Sequence, residues 1–315
     1  MNLLAALKHW NKKRLARRRE FSLERRVLAV KPDLLILTPP HCLYLAHEMQ
    51  HILQQCNLKA AIETNESTAK LHQLHHIIIC PQVFKNLPPS YTAFQLEQSN
   101  SSAWFTEEYI QTLKRAKHVL DYSVENIEYL LKIGLDQAAM HHTPLDFTTN
   151  YVASKPTPFT YDVVFYGNTE SERRQRYLEK ITKKFNTLVI ENSYGQDLMP
   201  QLRQAKCVVN IHYYEGALLE TTRLYECLSH DLMLISEKSR DQDFHQGLNG
   251  IVEFIDIDDI DGMVSRIGTT IADEQALRRR IQANTALLQT RENQFLIRFK
   301  AFAQAHLQNC RQTAP

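Results

Sequence analysis

Short apolar segments alternate with amphipathic ones along the first half of the chain. The apolar segments are VLAV, LLILT, AAIET, HIIIC, AFQLE and HVLDYS, and stretches with helical spacing, such as 42–56 and 106–117, lie between them. Segments that are apolar at nearly every position indicate parallel strands whose two faces are both covered by helices. The pattern therefore predicts an α/β domain built on a parallel sheet.

The second half repeats this alternation after a break. Periodicity is lost in PLDFTTNYVASKPTPFTYD, where three prolines and several threonines are typical of a linker. Beyond it, DVVFYG, TLVIEN, CVVNIH, LMLIS and IVEFI predict further strands separated by helices. The fold class that we predict is α/β, with two Rossmann-like parallel-sheet domains that face each other across a cleft.

The chain ends in a segment with strong helical spacing. In DEQALRRRIQANTALLQTRENQFLIRFKAFAQAHLQ the candidate buried positions are Leu288, Phe295, Phe299 and Phe302. We expect a long C-terminal helix that packs across the domain junction. The predicted organisation is a basic amphipathic arm over 1–26, an N-terminal α/β domain over 27–150, a C-terminal α/β domain over 159–287 and the C-terminal helix over 288–315.

The net charge of +2 hides a strongly basic N-terminus. Residues 1–26 hold nine Lys or Arg against two Glu, with Leu3, Leu4, Leu7 and Trp10 at helical spacing. A basic amphipathic helix suits an anionic membrane surface. An acidic partner or RNA is the main competing ligand, and a solvated arm without a specific role is the plain alternative. The apolar part of this segment is too short for a signal peptide.

The cysteines point to a reducing compartment. Six of them are scattered along the chain without a C-x-x-C pair, which favours reduced thiols over a disulfide framework or a thiolate zinc site. No apolar run approaches the roughly 18 residues of a membrane span. We therefore expect a cytoplasmic protein, peripheral on the inner face of the membrane if the arm binds lipid.

The segment NIHYYEGALLETTRLYECLSHD places polar side chains around one strand-to-helix corner. Ligands of open parallel sheets bind beyond the carboxyl ends of the strands, where His212 and Tyr213 stand. The helix that follows begins with Glu220, Thr221 and Thr222. Its N-terminal N–H groups and the positive end of its dipole favour phosphate oxygens at the same place.

Two further side chains of this helix extend the prediction. Arg223 is a fixed cation that can bind phosphate through two N–H groups. Glu226 carries a carboxylate that could accept both hydroxyls of a ribose. The spacing also allows a plain surface pair between Arg223 and Glu226, and this alternative stays open from the residues alone.

A second candidate anion site lies at the turn GNTESERR. Gly167 permits close approach of a ligand to the backbone. The capping box that begins at Thr169 predicts the start of a helix. Asn168 and Arg173, or its neighbour Arg174, would complete the site, and solvated arginines are the alternative.

Two more positions are candidates on either side of the predicted cleft. Tyr194 and Gly195 follow the strand TLVIEN and could form the wall beside a base, although a simple turn explains them equally well. His41 follows LLILTPP and faces the cleft, where it could orient an acceptor hydroxyl or act as a base. A histidine at a helix start without that role is the alternative.

One motif competes with these predictions. AHEMQH contains His47, Glu48 and His51 in the H-E-x-x-H spacing of zinc proteases. The third ligand is missing at the position that metzincins use, which is Asn57, and the apolar stripe of the helix leaves both histidines on its outer face. The runs LHQLHH and MHH lack the regular spacing of a metal site. We predict no metal and no cofactor, with a zinc hydrolase as an alternative.

The run LLETTRLYECLSHDLMLISE resembles the donor-binding segment of GT-B-fold glycosyltransferases of the group 1 kind. YDVVFYGNTESERRQRYLEKI is similar to the opening strand, glycine turn and helix of that family's second domain. ENSYGQDLMPQLRQAKCVVNIH is similar to its base-binding loop, helix and strand. The resemblance covers roughly residues 160–300 well, and the first half more loosely through AFQLEQ, VLDYSVENIEYL and HHTPLDF.

The resemblance implies a metal-independent glycosyltransferase without a nucleic-acid partner. The C-terminal domain would hold a nucleotide-sugar donor and the N-terminal domain a glycan or glycolipid acceptor. Glu226 would match the glutamate that holds the ribose, and the catalytic candidates are Arg223, Glu220 and His41. Many members carry a second glutamate eight positions before the ribose-binding one, where this chain has Leu218. A non-catalytic nucleotide-sugar-binding protein or inactive subunit is therefore the alternative.

Overall fold

The computed structural model describes residues 27, 29–64, 71–99, 102–150 and 158–312 of the chain. The arm predicted over 1–26, with its proposed membrane contact, lies outside the described residues. Among the helices that are described, none is long and apolar enough to cross a membrane.

The first sheet is built from six parallel strands: β1 (Leu34–Leu37), β2 (Ala60–Glu63), β3 (His75–Ile79), β4 (Tyr91–Gln95), β5 (His118–Asp121) and β6 (Met140–His142). Their order is β2-β1-β3-β4-β5-β6. Every residue of β1, β4 and β5 is buried, because helices cover both faces of the sheet. The helices of this half are α1 (Leu43–Gln55), α2 (Glu107–Arg115) and α3 (Val124–Lys132).

The second sheet is built from five parallel strands: β7 (Tyr161–Tyr166), β8 (Thr187–Ile190), β9 (Ala205–Asn210), β10 (Leu234–Glu237) and β11 (Glu253–Ile255). Their order is β11-β10-β9-β7-β8. The helices are α4 (Glu172–Lys184), α5 (Met199–Leu202), α6 (Thr221–Ser229), α7 (Ile260–Ile271), α8 (Glu274–Gln289) and α9 (Gln294–His306). The predicted fold class, two parallel-sheet α/β domains, is confirmed.

Three local predictions differ from the structure. VLAV was expected to be a strand, but Val27, Ala29 and Val30 are helical, since a run of four apolar residues fits either element. The short edge strand β6 was missed because MHH has no apolar pattern. The single C-terminal helix is interrupted between α8 and α9, where the side chain of Asn293 caps the new helix by accepting from Leu296 N–H.

This interruption lets the chain return to the first sheet. Leu288, near the end of α8, packs in the core of the second sheet. Phe295, Phe299 and Phe302 on α9 pack instead in the core of the first, against α1, and the first two rings stack with centroids 5.6 Å apart. The C-terminal segment therefore links the cores of both sheets.

Candidate active site

A cleft with a volume of about 670 Å³ lies between the two sheets. The segments that line it follow the carboxyl ends of β1, β3, β4 and β5 on one side and of β7, β8 and β9 on the other. Open parallel sheets bind their ligands at these ends. The predicted residues that line the cleft are His41, Gly167, Asn168, Tyr194, Gly195, Glu220, Thr221, Thr222, Arg223 and Glu226.

Two guanidinium groups converge on the carboxylate of Glu220. Arg223 Nη1 lies 3.0 Å from Glu220 Oε2, and Arg174 Nη2 donates to Glu220 Oε1 at 3.4 Å. Burial raises the pKa of Glu220, but the positive charges of Arg223 and Arg174 lower it by a larger amount. The pKa therefore lies below the ordinary value of a glutamate. Glu220 therefore remains ionised and holds both cations at the wall of the cleft.

Arg223 is fixed from several directions. Its Nη1 donates to Asn210 Oδ1 at 3.1 Å, and its Cζ lies 4.9 Å from the centroid of the Tyr166 ring. Gly167 lies against the guanidinium, and a Cβ at that position would stand 3.0 Å from Arg223 Nη2. The ion-pair partner of Arg223 is thus Glu220, and the surface pair with Glu226 that the spacing allowed does not form.

Arg174 anchors the turn beside this cluster. Its Nε donates to the carbonyl of Ile211 at 2.9 Å, and its Nη1 donates to the carbonyl of Asn168 at 2.9 Å. Burial lowers the pKa of Arg174 to about 10, so the side chain is charged at neutral pH. Because its donors serve the backbone and Glu220, Arg174 acts as a positioning residue that keeps a positive charge near the cleft.

Glu226 is the buried acid of the cleft. Its exposed fraction is 8%. Burial raises its pKa to about 7, while Arg223, a hydrogen bond with Tyr166, and His41 act in the opposite direction. A carboxyl group with this pKa changes its charge near neutrality and can accept hydroxyl hydrogens once it is ionised.

The N-terminus of α6 offers fewer donors than predicted. Thr221 N–H donates to the carbonyl of Leu219 at 2.8 Å, and Arg223 N–H donates to the carbonyl of Glu220 at 3.0 Å. These two N–H groups are therefore not available to a phosphate. The Thr221 hydroxyl is buried and has no hydrogen-bond partner among the described residues, which leaves a polar group for a ligand to satisfy.

The first sheet contributes His41 and an acid that the sequence analysis did not select. Burial lowers the pKa of His41, but a hydrogen bond to Cys80 and the nearby carboxylates of Glu97 and Glu226 raise it above the ordinary value. Glu97 lines the cleft at the end of β4 and accepts from Gln82 Nε2 at 2.7 Å and from Ser102 Oγ at 2.6 Å. These two contacts fix its carboxylate.

Three predicted residues do not reach the cleft. Arg173 lies on the next face of α4 from Arg174, since successive helical residues differ by about 100°, and it forms an ion pair with the buried Glu237. His212 is buried and its Nε2 lies 3.1 Å from the carbonyl of Lys238. Tyr213 packs under the guanidinium of Arg174, 5.2 Å from ring centroid to Cζ. Their contacts stabilise the strand-to-helix corner from the side that faces away from the cleft.

The predicted capping box is wrong. The helix α4 has Ser171 at its N-cap, and Thr169 lies outside the helix. Thr169 instead donates through both its N–H and its hydroxyl to Glu191 Oε1, at 2.9 and 2.7 Å. The capping pattern failed because a carboxylate from the neighbouring strand end offered Thr169 two hydrogen bonds.

Leu218, at the position where many members of the resembled family carry a glutamate, is fully buried. Its N–H donates to Gln98 Oε1 at 2.9 Å, and its carbonyl accepts from Gln98 Nε2 at 3.2 Å. The paired amide contact joins the two halves of the molecule beside the cleft. Leu218 thus serves the domain junction and presents no polar group to a ligand.

The H-E-x-x-H motif does not gather a metal site. His47 and His51 are exposed, as the apolar stripe predicted. Glu48 is buried and accepts from Asn150 Nδ2 at 3.1 Å. Within the described ranges, neither histidine belongs to a group of three potential ligands, so the zinc-hydrolase alternative has no support in the structure.

Among the lining residues that the sequence analysis did not select are Glu97, Tyr166 and Glu191. Each stands at the carboxyl end of a strand that the apolar pattern had already identified, or within two residues after it. The signal in the sequence was therefore a polar side chain at the end of an apolar run. The sequence analysis used this signal mainly for the strand before Glu220 and did not apply it to every predicted strand.

The buried acid gives a first prediction, tested with Glu226→Gln. The pKa of Glu226 is raised from 4.5 in the unfolded chain to about 7, so the folded state binds more protons between these values and loses stability as pH rises through them. The amide removes this cost. We expect the stability advantage of Glu226→Gln over the wild type to grow by roughly 2 kcal/mol from pH 5 to pH 8 in urea unfolding. An advantage that is independent of pH contradicts the buried ionisation; the exposed Glu292→Gln is the surface control.

A second prediction concerns Gly167, whose φ of +127° and contact with Arg223 both disfavour a side chain. Gly167→Ala should lose about 1–3 kcal/mol of stability through its backbone and also displace the Arg223 guanidinium. Gly134→Ala is the matched control, since its φ is +89° but nothing lies within 4 Å of the new Cβ. We expect both variants to be destabilised and only Gly167→Ala to bind inorganic pyrophosphate several-fold more weakly in calorimetry. Equal pyrophosphate affinities would show that Gly167 does not support the arginine.

Comparisons with known proteins agree with this architecture. No protein-family model and no curated protein sequence matches the chain. Among solved structures, HepE of Anabaena in complex with UDP and glucose matches with a TM-score of 0.56 and 12% identity, over 87% of this chain and 99% of HepE. Sucrose-phosphate synthase from Thermosynechococcus elongatus matches with a TM-score of 0.55 and 10% identity, over 89% and 98% of the two chains.

A third match is partial. TarM matches with a TM-score of 0.50 and 10% identity over 72% of this chain, and the chain spans about half of TarM, 53%. A structure of S. aureus TarM contains fondaparinux, alpha-GlcNAc-glycerol and UDP. At such low identities these likenesses establish the fold. The two facing parallel-sheet domains of this chain are therefore a GT-B glycosyltransferase fold, as the resemblance of its second half predicted.

Proposed function

We propose that the protein is a glycosyltransferase that moves a sugar from a nucleotide-sugar donor to a glycan or glycolipid acceptor. The observation that carries the proposal is the placement of a buried acid, Glu226, and a fixed cation, Arg223, one helical turn apart in a single interdomain cleft. An acid and a cation at this separation match the ribose hydroxyls and the diphosphate of a nucleoside diphosphate. The structures of HepE and of TarM in complex with UDP support a nucleotide ligand for a protein of this fold.

The donor is proposed to bind on the side of the second sheet. Glu226 accepts the ribose hydroxyls, since each of the two oxygens of an ionised carboxylate can accept one of them. Arg223 binds the diphosphate, with the buried hydroxyl of Thr221 nearby. Tyr194 and Gly195, after β8, form the wall beside the base.

Catalysis is proposed to rest on Arg223. The diphosphate gains negative charge as the bond to the sugar breaks, and a preorganised cation stabilises that charge more in the transition state than in the ground state. Glu220 contributes by holding Arg223 in place, and the second guanidinium of Arg174 adds positive potential. Two fixed guanidinium groups supply charge that a metal ion would otherwise provide, so we propose a metal-independent reaction.

The acceptor is proposed to enter from the first sheet. His41 and Glu97 line that side of the cleft, and both can accept a proton from an acceptor hydroxyl. The rings of His41 and Tyr194 lie across the cleft from each other, with centroids 6.0 Å apart and planes inclined at 53°. An acceptor held on a lipid would suit contact of the basic residues 1–26 with an anionic membrane from the cytoplasmic side.

A nucleotide-sugar-binding protein without turnover is the second candidate. Leu218 is buried and bonded to Gln98, so the family's second glutamate has no replacement at that position. Glu220 lies in the cleft, but both of its oxygens face the arginines. The two candidates differ in turnover and not in binding.

Arg223→Lys separates them. A thermal-shift panel of nucleoside diphosphates and nucleotide-sugars first identifies the donor, and its hydrolysis or transfer is then followed. Lysine keeps the charge but loses the two-pronged geometry, the Asn210 contact and the stacking on Tyr166. We expect donor binding close to the wild type and turnover on the order of 10–100-fold slower, by analogy with the loss of one preorganised donor.

The exposed Arg279→Lys on α8 is the matched control and should leave both quantities unchanged. Donor binding without turnover in the wild type would favour the binding protein. Wild-type turnover in Arg223→Lys would remove Arg223 from the mechanism.

A further inference from the structure

Three imidazoles meet at the edge of the first sheet, outside the cleft. His118 opens β5, His141 is the middle residue of the neighbouring edge strand β6, and His306 is the last residue of α9. Ring nitrogens of all three lie within 4.8 Å of one another. The three ligands come from elements that are distant in sequence, which is why the run MHH showed no metal-site spacing.

The separations are close to those of a metal centre. His118 Nδ1 and His141 Nε2 are 3.1 Å apart, and the ring centroid of His306 lies 4.4 Å from that of His118 and 5.0 Å from that of His141. Two nitrogens bound to one tetrahedral zinc ion at 2.0–2.1 Å stand about 3.3 Å apart. The first pair already has that spacing, and the third nitrogen, which lies within 4.8 Å of both, would approach by up to about 1.5 Å on binding.

One aromatic ring packs against all three imidazoles. Phe302 packs against all three rings, with centroid distances of 5.4, 4.9 and 5.1 Å to His118, His141 and His306. His118 is 8% exposed, and its Nε2 has no hydrogen-bond partner among the described residues.

We propose that His118, His141 and His306 bind a divalent transition-metal ion, and Zn²⁺ is the ion that we expect. Neutral imidazole is the ligand that zinc shares with copper and nickel, and three protein nitrogens with a water molecule complete a tetrahedral shell. His141 and His306 are partly exposed, so an ion and its water can enter from solvent.

Such an ion would tie the C-terminal helix to the first sheet. His306 ends α9, the helix that carries Phe295, Phe299 and Phe302 into the core of the first domain. His118 and His141 lie on adjacent strands of that domain. Metal binding should therefore stabilise the docked helix, in the way that any ligand of the folded state does.

The test uses the full chain, stripped with a chelator and titrated with Zn²⁺ against a chromophoric competitor. We expect one Zn²⁺ per chain at micromolar or lower dissociation constant, and at least about 100-fold weaker binding in His141→Ala and in His306→Ala, since loss of even an outer-shell partner costs 10–100-fold. His142→Ala is the matched control, because its side chain leaves β6 on the opposite face. Zn²⁺ should raise the thermal midpoint of the wild type and of His142→Ala but not of His306→Ala.

Cobalt identifies the ligands independently. Co²⁺ bound to imidazoles gives weak visible bands, whereas binding to the Cys42 and Cys80 thiols, near His41, adds an intense thiolate charge-transfer band. Visible bands without the thiolate band support the histidine site. The proposal is overturned if the wild type fails to bind Zn²⁺ in the micromolar range, if both histidine variants bind as the wild type does, or if the bound Co²⁺ shows thiolate ligation.

Discussion

The donor side of the cleft depends on one interaction, the contact of the Glu220 carboxylate with two guanidinium groups. Arg223 reaches it from the same helix and Arg174 from the helix after β7. Without Glu220, two like charges would face each other in a partly buried place, with only Tyr166, Phe165 and Tyr213 as aromatic neighbours. The carboxylate makes their proximity favourable and leaves the cluster with a net positive charge.

The same cluster explains why Glu226 can remain a poorly solvated acid. Its pKa of about 7 results from burial, and Arg223 restrains the shift from one helical turn away. The cleft therefore combines a permanent cation with an acid that ionises near neutrality. The junction beside it is fixed by neutral contacts, the Gln98 amide on the Leu218 backbone and the hydroxyl pair of Tyr44 and Ser229 at 2.9 Å. Charge is thus concentrated where a ligand would bind. The domain junction uses these neutral contacts together with one ion pair, between Arg240 and Glu125 at 3.6 Å.

The sequence predicted the sheets well because buried parallel strands are apolar throughout, as in LLILT and CVVNIH. It also located the corner at Glu220 to Glu226, since a polar cluster after an apolar strand has few structural explanations. The sequence could not decide which of Arg173 and Arg174 faces the cleft. Successive side chains on a helix differ in direction by about 100°, and the N-cap of α4 is Ser171 and not Thr169, where the capping box was predicted. The partners of Gln98, Glu97 and His306 lie in other elements, so only the folded chain brings them together.

The most direct test of the account is the proton balance of donor binding. A nucleotide-sugar carries a diphosphate esterified at both ends, which does not titrate near pH 7, so protons released on binding come from the protein. If ribose hydroxyls bind the ionised Glu226, its pKa must fall from about 7 and calorimetry in buffers of different ionisation enthalpy should record release of a substantial fraction of one proton per site near pH 7. The same titration of Glu226→Gln should release little. Equal proton release by the two proteins, or proton uptake by the wild type, would contradict the assignment of Glu226 to the nucleotide.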